Sequence, residues 1–190
     1  VAYRRPGGND QDVRIRDETT RMSNLSVVDT GDNLEVDDVT LFGPEAAFVY
    51  RFAQVKVEYN YAHVRRDGGA DPVDFQSAHA SLSLALSGQN WADSYKISAG
   101  EFKRLKNVHE FNPAKGHWGE FELAGRWAFI DLDSADITGG REHAFTTALN
   151  WQFNHNVRMM FDWTYILKTE GPAYNDPANS SAEGLNIIGA

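Results

Sequence analysis

Cysteine is absent from all 190 residues. That excludes a disulfide framework, a thiolate metal site and a cysteine nucleophile. Long apolar runs are absent too: charged residues interrupt every apolar stretch and the mean hydropathy is −0.49, so no transmembrane helix is expected. Excess positive charge is also lacking. Eighteen Lys and Arg stand against 27 Asp and Glu, a net charge of −9, which argues against general nucleic-acid binding. Proline is scarce, and no internal repeat, heptad or low-complexity tract is present, which removes solenoids and coiled coils. The first residue is Val1, with no charged-then-apolar leader behind it, so any secretory signal is expected to be removed or to lie outside the numbered segment.

What the chain does have is alternation. From Gly119 to Asp131, Phe121, Leu123, Trp127 and Phe129 alternate with Glu120, Glu122, Ala124, Arg126 and Ala128, a period of two and not 3.6. A second run places Phe145, Thr147, Leu149, Trp151 and Phe153 on one face. A third, after the short Asn154-His155-Asn156 turn, places Val157, Met159, Phe161, Trp163, Tyr165 and Leu167 on one face and Arg158, Asp162, Thr164 and Lys168 on the other. Upstream, Ala46 to Phe52, Val55 to Tyr61 and Phe75 to Leu86 read as three more strands. Shorter ones are expected around Val13 and Ile15 and from Leu185 to Ala190.

Connections alternate in length. Short ones fall near Ala53 and His155, and long polar ones over roughly 17–43, 66–74, 132–143 and 168–184. Residues 87–118 form an irregular connection with some strand character of its own. Tight turns at one end and long loops at the other, with strands of about 10 residues, suit an all-β antiparallel transmembrane barrel whose lipid-facing and lumen-facing residues alternate. The same alternation also suits a soluble β-sandwich, with the apolar face packed on a second sheet.

Four segments taken together resemble one family. They are residues 43–69 (GPEAAFVYRFAQVKVEYNYAHVRRDGG), 100–105 (GEFKRL), 117–140 (HWGEFELAGRWAFIDLDSADITGG) and 146–163 (TTALNWQFNHNVRMMFDW). The most specific pieces are the Trp118-Gly119-x-x-Glu122-Leu123-Ala124-x-Arg126 strand ending in Asp131-Leu132-Asp133, the Gly139-Gly140 pair, and Asn150-Trp151 leading into Asn156-Val157-Arg158. In order and spacing these are similar to the phosphate-selective porin O/P family. The family's usual Leu-Thr-Gly-Glu stands here as Leu86-Ser87-Gly88-Gln89, without the acid.

The resemblance implies a homotrimeric, sixteen-stranded porin of the bacterial outer membrane, in contact with the lipid bilayer and lipopolysaccharide and passing small anions such as phosphate. About eight strands are present, so residues 1–190 are expected to be the C-terminal portion of one barrel domain, with 87–118 as a periplasmic connection.

If the apolar rows face lipid, the opposite rows turn Arg126, Arg158, Lys56, Arg14 and Arg16 toward the lumen, where cations attract anions and guanidinium forks grip phosphate. Glu45, Glu58, Glu120, Glu122 and Asp162 share that face, making it a mixed-charge wall. Arg126 with Glu122 and Arg158 with Asp162 could instead pair and brace the wall. Trp127, Trp151, Trp163, Tyr165 and Phe153, near strand ends, are expected to form an aromatic girdle.

No cofactor or metal is expected. The six histidines lack metal-ligand spacing, and Asp131, Asp133 and Asp136 lack an EF-hand pattern, so they read as a solvated loop. Ser81 and His79 lie on one expected face, yet no acid at matching depth and no Gly-x-Ser-x-Gly elbow accompanies them, so the chain is expected not to be an enzyme. The expected function is a passive channel for small hydrophilic solutes, with a general porin without phosphate preference, or a soluble β-sandwich binding module, as the alternatives.

Overall fold

The computed structural model describes residues 2–4, 12–18, 26–31, 34–106, 109–170 and 186–189. Four short strands come first: β1 (Ala2–Arg4), β2 (Asp12–Val13), β3 (Arg16–Glu18) and β4 (Ser26–Asp29). The sheet proper is built from β5 (Leu34–Phe42), β6 (Glu45–Tyr50), β7 (Ala53–Arg66) and β8 (Val73–Ala85), then β11 (Glu120–Ser134), β12 (Ile137–Gln152) and β13 (Arg158–Glu170). Between β8 and β11 lie the two-residue strands β9 (Tyr95–Lys96) and β10 (Glu101–Phe102) with three short 3-10 turns, and β14 (Asn186–Gly189) comes last.

All pairings are antiparallel. One ten-stranded sheet runs β1-β5-β7-β8-β11-β12-β13-β14, with β2 also on β5 and β6 also on β7. The strands are long because alternation persists: β12 has 16 residues and β11 has 15. From Asp38 to Tyr50, β5 and β6 follow β7 in one register, Phe42 opposite Tyr61 and Glu45 opposite Glu58, interrupted by Gly43-Pro44. Proline has no N–H for the ladder, which explains the break.

This sheet is open. Its path ends at β1 on one side and β14 on the other, and no pairing among the described residues joins them. The expected closed barrel is corrected accordingly: the described strands enclose no lumen. Among the described residues a two-sheet sandwich is not formed either, since only the small β3–β4 and β9–β10 pairs lie outside the large sheet.

The two faces differ sharply. Side chains of directly paired residues share a face, so the row Lys56, Ser81, Arg126, Thr146 and Thr164 defines the polar one. The opposite face presents Val55, Val57, Leu82, Leu123, Leu149, Phe161 and Trp163, and it is exposed: Leu149 by 38% and Phe161 by 43%. The buried core lies at one end of the polar face, where Val64, Val73, Phe75, Leu132 and Ile137 meet Val28, Leu34 and Val36. There β4 packs on β11 and β12 and covers the sheet. A second, smaller cluster of Ala85, Trp91 and Leu105, with Val49, seats the 3-10 turns at the other end.

Several expected loops are strand. Residues 132–143 form a hairpin turning at Ala135-Asp136, with Ser134 opposite Ile137. Gly139 belongs to β12 because its backbone runs close against Leu132; a Cβ there would sit 2.7 Å from the Leu132 Cβ and carbonyl oxygen. Within 17–43, β5 had no visible alternation because the register shifts between Val36 and Asp38. Asp38, 2% exposed, is ion-paired with Arg65. A second shift in β13 places Lys168 opposite His143, beside the aromatic face and not on the polar one.

Candidate binding groove on the polar face

Between the two covered ends, the polar face carries two adjoining crevices. The larger, 490 Å³, is lined by Glu45, Lys56, Glu58, His79, Tyr95, Glu101 and Phe102, with Ala46, Ala47, Val57 and Gly100 completing it. The second, 260 Å³, has Asp17, Glu58, Asn60, Ser77, His79, Arg126 and Glu142 among its walls. Glu58 and His79 belong to both, so the two form one groove. Strands β6, β7, β8 and β11 supply its floor by alternation. Its side wall comes from β9 and β10.

The wall is aromatic. Tyr95 and Phe102, paired across β9 and β10, hold their ring centroids 4.8 Å apart. Lys56 Nζ lies 5.4 Å from the Phe102 centroid, within cation–π range. Asn60 Nδ2 donates to Glu58 Oε1 at 2.7 Å, and His79 Nε2 stands 3.8 Å from Glu58 Oε2. Burial first, and then the Arg126 charge, push the His79 imidazole below its ordinary 6.5 against the opposing pull of Glu58. At neutral pH His79 is therefore uncharged and can act as donor or acceptor.

The structure brings only two of the five expected cations together here. Lys56 and Arg126 share one register row, through Ser81. Arg158 lies beside Glu120, Glu122 and Arg104 at the far end of the strands, six residues of β11 from Arg126, or about 20 Å at the strand rise. Arg14 is committed elsewhere, its Nε donating to Asp29 Oδ1 at 2.8 Å, and this guanidinium holds the Asp29 carboxyl below the usual range while partial burial opposes it. Arg16 adds a weaker charge effect on the same carboxyl. The expected bracing pairs are not made: among the described residues no hydrogen bond or ion pair joins Arg126 to Glu122 or Arg158 to Asp162.

The aromatic residues lie on the exposed face. Trp127 stacks on Phe129 with centroids 6.3 Å apart, Trp151 lies 4.3 Å from Phe153 and 5.3 Å from Phe121, and Trp163 stands 6.0 Å from Tyr165. The three loop acids are held by protein groups, Asp131 and Asp133 sharing Arg141. Asp131 takes Arg141 at 2.9 Å, Asp133 accepts the Gly140 N–H at 2.8 Å, and Asp136 pairs with Arg66. Among the described residues no set of three or more His, Asp or Glu side chains gathers to hold a metal.

Sequence reasoning missed Tyr95, Glu101 and Phe102 as lining residues. The available signal was the length of the 87–118 connection, a stretch too long for a turn and rich in side chains able to wall a groove.

Comparison with known proteins places this fold in a family: residues 9–184 match the family model described as phosphate-selective porin O and P. The chain belongs to this family. It is also 27% identical over 134 residues to a protein of Caulobacter vibrioides described as uncharacterized, an alignment covering 68% of this chain and 25% of that protein. The chain thus spans about a quarter of the relative's length.

Membership does not close the sheet. Strand alternation and the family resemblance implied a membrane-spanning barrel acting as an anion channel, as a homotrimer, in contact with bilayer and lipopolysaccharide in the outer membrane. The open sheet overturns that reading by removing the geometry it stood on. No helix among the described residues is long and apolar enough to cross a membrane.

Proposed function

We propose that this chain is a β-sheet binding module that takes a small polar solute in the groove between β6–β8, β11 and the β9–β10 wall. The observation that carries this reading is the joining of the two crevices through Glu58 and His79. A concave site with a few convergent polar groups and an aromatic wall is the usual form of a small-ligand site.

Lys56 and Arg126 are the cations we assign to the solute's negative groups, Arg126 through its guanidinium fork. Arg158, Arg14 and Arg16 are peripheral in this reading. Residues 1–190 act as one domain, and 87–118 is the insertion that completes the site. Binding occurs without turnover: Ser81 and His79 share the polar face, but the acid beside His79 stands 3.8 Å away, beyond hydrogen-bond reach.

Hydrogen exchange of the whole chain, held in mild detergent to shield the apolar face, tests the reading against a panel of small polar solutes. Protection is expected in 45–47, 56–58, 77–81 and 101–102. Protection elsewhere only, or none with any solute, contradicts it.

A further inference from the structure

Resting on that groove reading, we propose that the solute is amphoteric, with one anionic group and one ammonium or guanidinium group on a small skeleton. The two charge requirements come from different parts of the groove.

Glu45 and Glu58 are direct register partners across β6 and β7. Two like charges opposite each other in an antiparallel pair repel, unless a cation lies between them. Glu45 has no ion pair among the described residues. Glu58 has only an amide hydrogen bond from Asn60 and a distant, neutral His79. Glu101 joins them in the same crevice, and the Tyr95 and Phe102 rings complete it. Aromatic faces attract cations, as Lys56 over Phe102 already demonstrates. Among the described residues, Lys56 is the one cation lining the crevice against these three carboxylates, so this end takes further positive charge.

Arg126 asks for the opposite. It opens on the adjoining crevice and makes no hydrogen bond or ion pair with any described residue. A guanidinium in that setting matches a carboxylate or phosphate bidentately.

The separation is short. Arg126 lies two strand spacings from β7 and one pleat repeat from the Glu58 row, which places the two backbones about 12 Å apart. Two long side chains reaching inward leave room for a skeleton of a few carbons. A solute that is only anionic would meet Glu45, Glu58 and Glu101, against Lys56 and Arg126. A solute that is only cationic would leave Arg126 unmatched.

Titration calorimetry of the full chain at neutral pH with γ-aminobutyrate, butyrate and butylamine separates these cases, since the three probes share a carbon chain and differ in charge. Tighter binding of γ-aminobutyrate is expected, by about tenfold over either single-charge probe, the scale of one charge-assisted hydrogen bond. Arg126→Gln removes its advantage over butylamine, and Glu58→Gln or the exposed Glu45→Gln reduces its advantage over butyrate. Each variant's hydrogen-exchange pattern away from the groove must match that of the parent.

Equal binding of the three probes, tighter binding of inorganic phosphate, or indifference to Arg126→Gln overturns the proposal. Groove protection by other solutes without this preference defeats the solute class alone. Absence of groove protection with every solute defeats the groove as well.

Discussion

Arg66 and Asp136, 70 positions apart, tie the end of β7 to the tip of the β11–β12 hairpin. The Arg66 side chain is 6% exposed and also donates from Nε to the Asp71 carbonyl at 2.7 Å, whereas Asp136 stands in solvent. One guanidinium thus anchors two connections at the covered end of the sheet. Arg66→Ala should speed hydrogen exchange at 67–74 and 134–138 while leaving 121–127 unchanged. Uniform change, or none at the hairpin, would show that the clamp does not hold these turns.

The buried end of the polar face should dominate stability. Leu132 and Ile166 are buried to 2% and 0% exposure, so truncating either to Ala should cost about 2–5 kcal/mol in chemical unfolding. Leu149→Ser on the exposed face should stay within about 0.5 kcal/mol, because little contact is lost. Comparable losses from both classes would mean that the apolar face is covered in solution.

Gly139 has a side-chain-free face against Leu132. Gly139→Ala should destabilise, because the added Cβ meets the Leu132 Cβ and carbonyl oxygen at 2.7 Å, and overpacking of this kind costs about 1–3 kcal/mol. Gly69→Asn, at φ +81 with open space around it, is tolerated far better. An unfolding midpoint unchanged by Gly139→Ala would contradict the close strand passage.

Acid should weaken the rim of the exposed face. Asp74 accepts hydrogen bonds from Tyr61 Oη at 2.6 Å and from His63 Nδ1 at 2.7 Å, and these hold its carboxyl below the ordinary 3.8. A depressed folded value means that this contribution is complete above 3.8 and is lost as pH falls through the lower folded value. The stability difference between the parent and Asp74→Asn should therefore be present at neutral pH and vanish in strong acid. A difference that grows with acidification would reverse the sign and refute the assignment.

Much of the strand pattern was legible because alternation marks it directly: β7, β8, β11 and β13 fall where Val55, Leu82, Phe121 and Phe161 keep a period of two. Strand β5 was not legible, because the register shift beside Asp38 breaks the period, and a buried Asp38 paired with the exposed Arg65 looks like loop chemistry in one dimension. Gly139-Gly140 misled for a related reason, since glycine marks both a turn and a close strand passage.

Openness of the sheet is a property of edges, and alternation within strands does not report on which edges meet. Lys56 and Arg126 were readable as polar-face cations. Their company in the groove depends on β9 and β10, whose two-residue strands gave the 87–118 connection some strand character but no alternation long enough to place them.

The claim on which the rest turns is that Arg126 and Lys56 face one solute site while Arg14 does not. Side-chain nitrogen NMR of arginine- and lysine-labelled chain, titrated with γ-aminobutyrate, measures this directly. The Arg126 Nε and Lys56 Nζ signals should move together and saturate at one concentration, with the Asp29-bound Arg14 Nε signal fixed. Movement of Arg14 without Arg126, or no movement of either groove cation, would contradict the account.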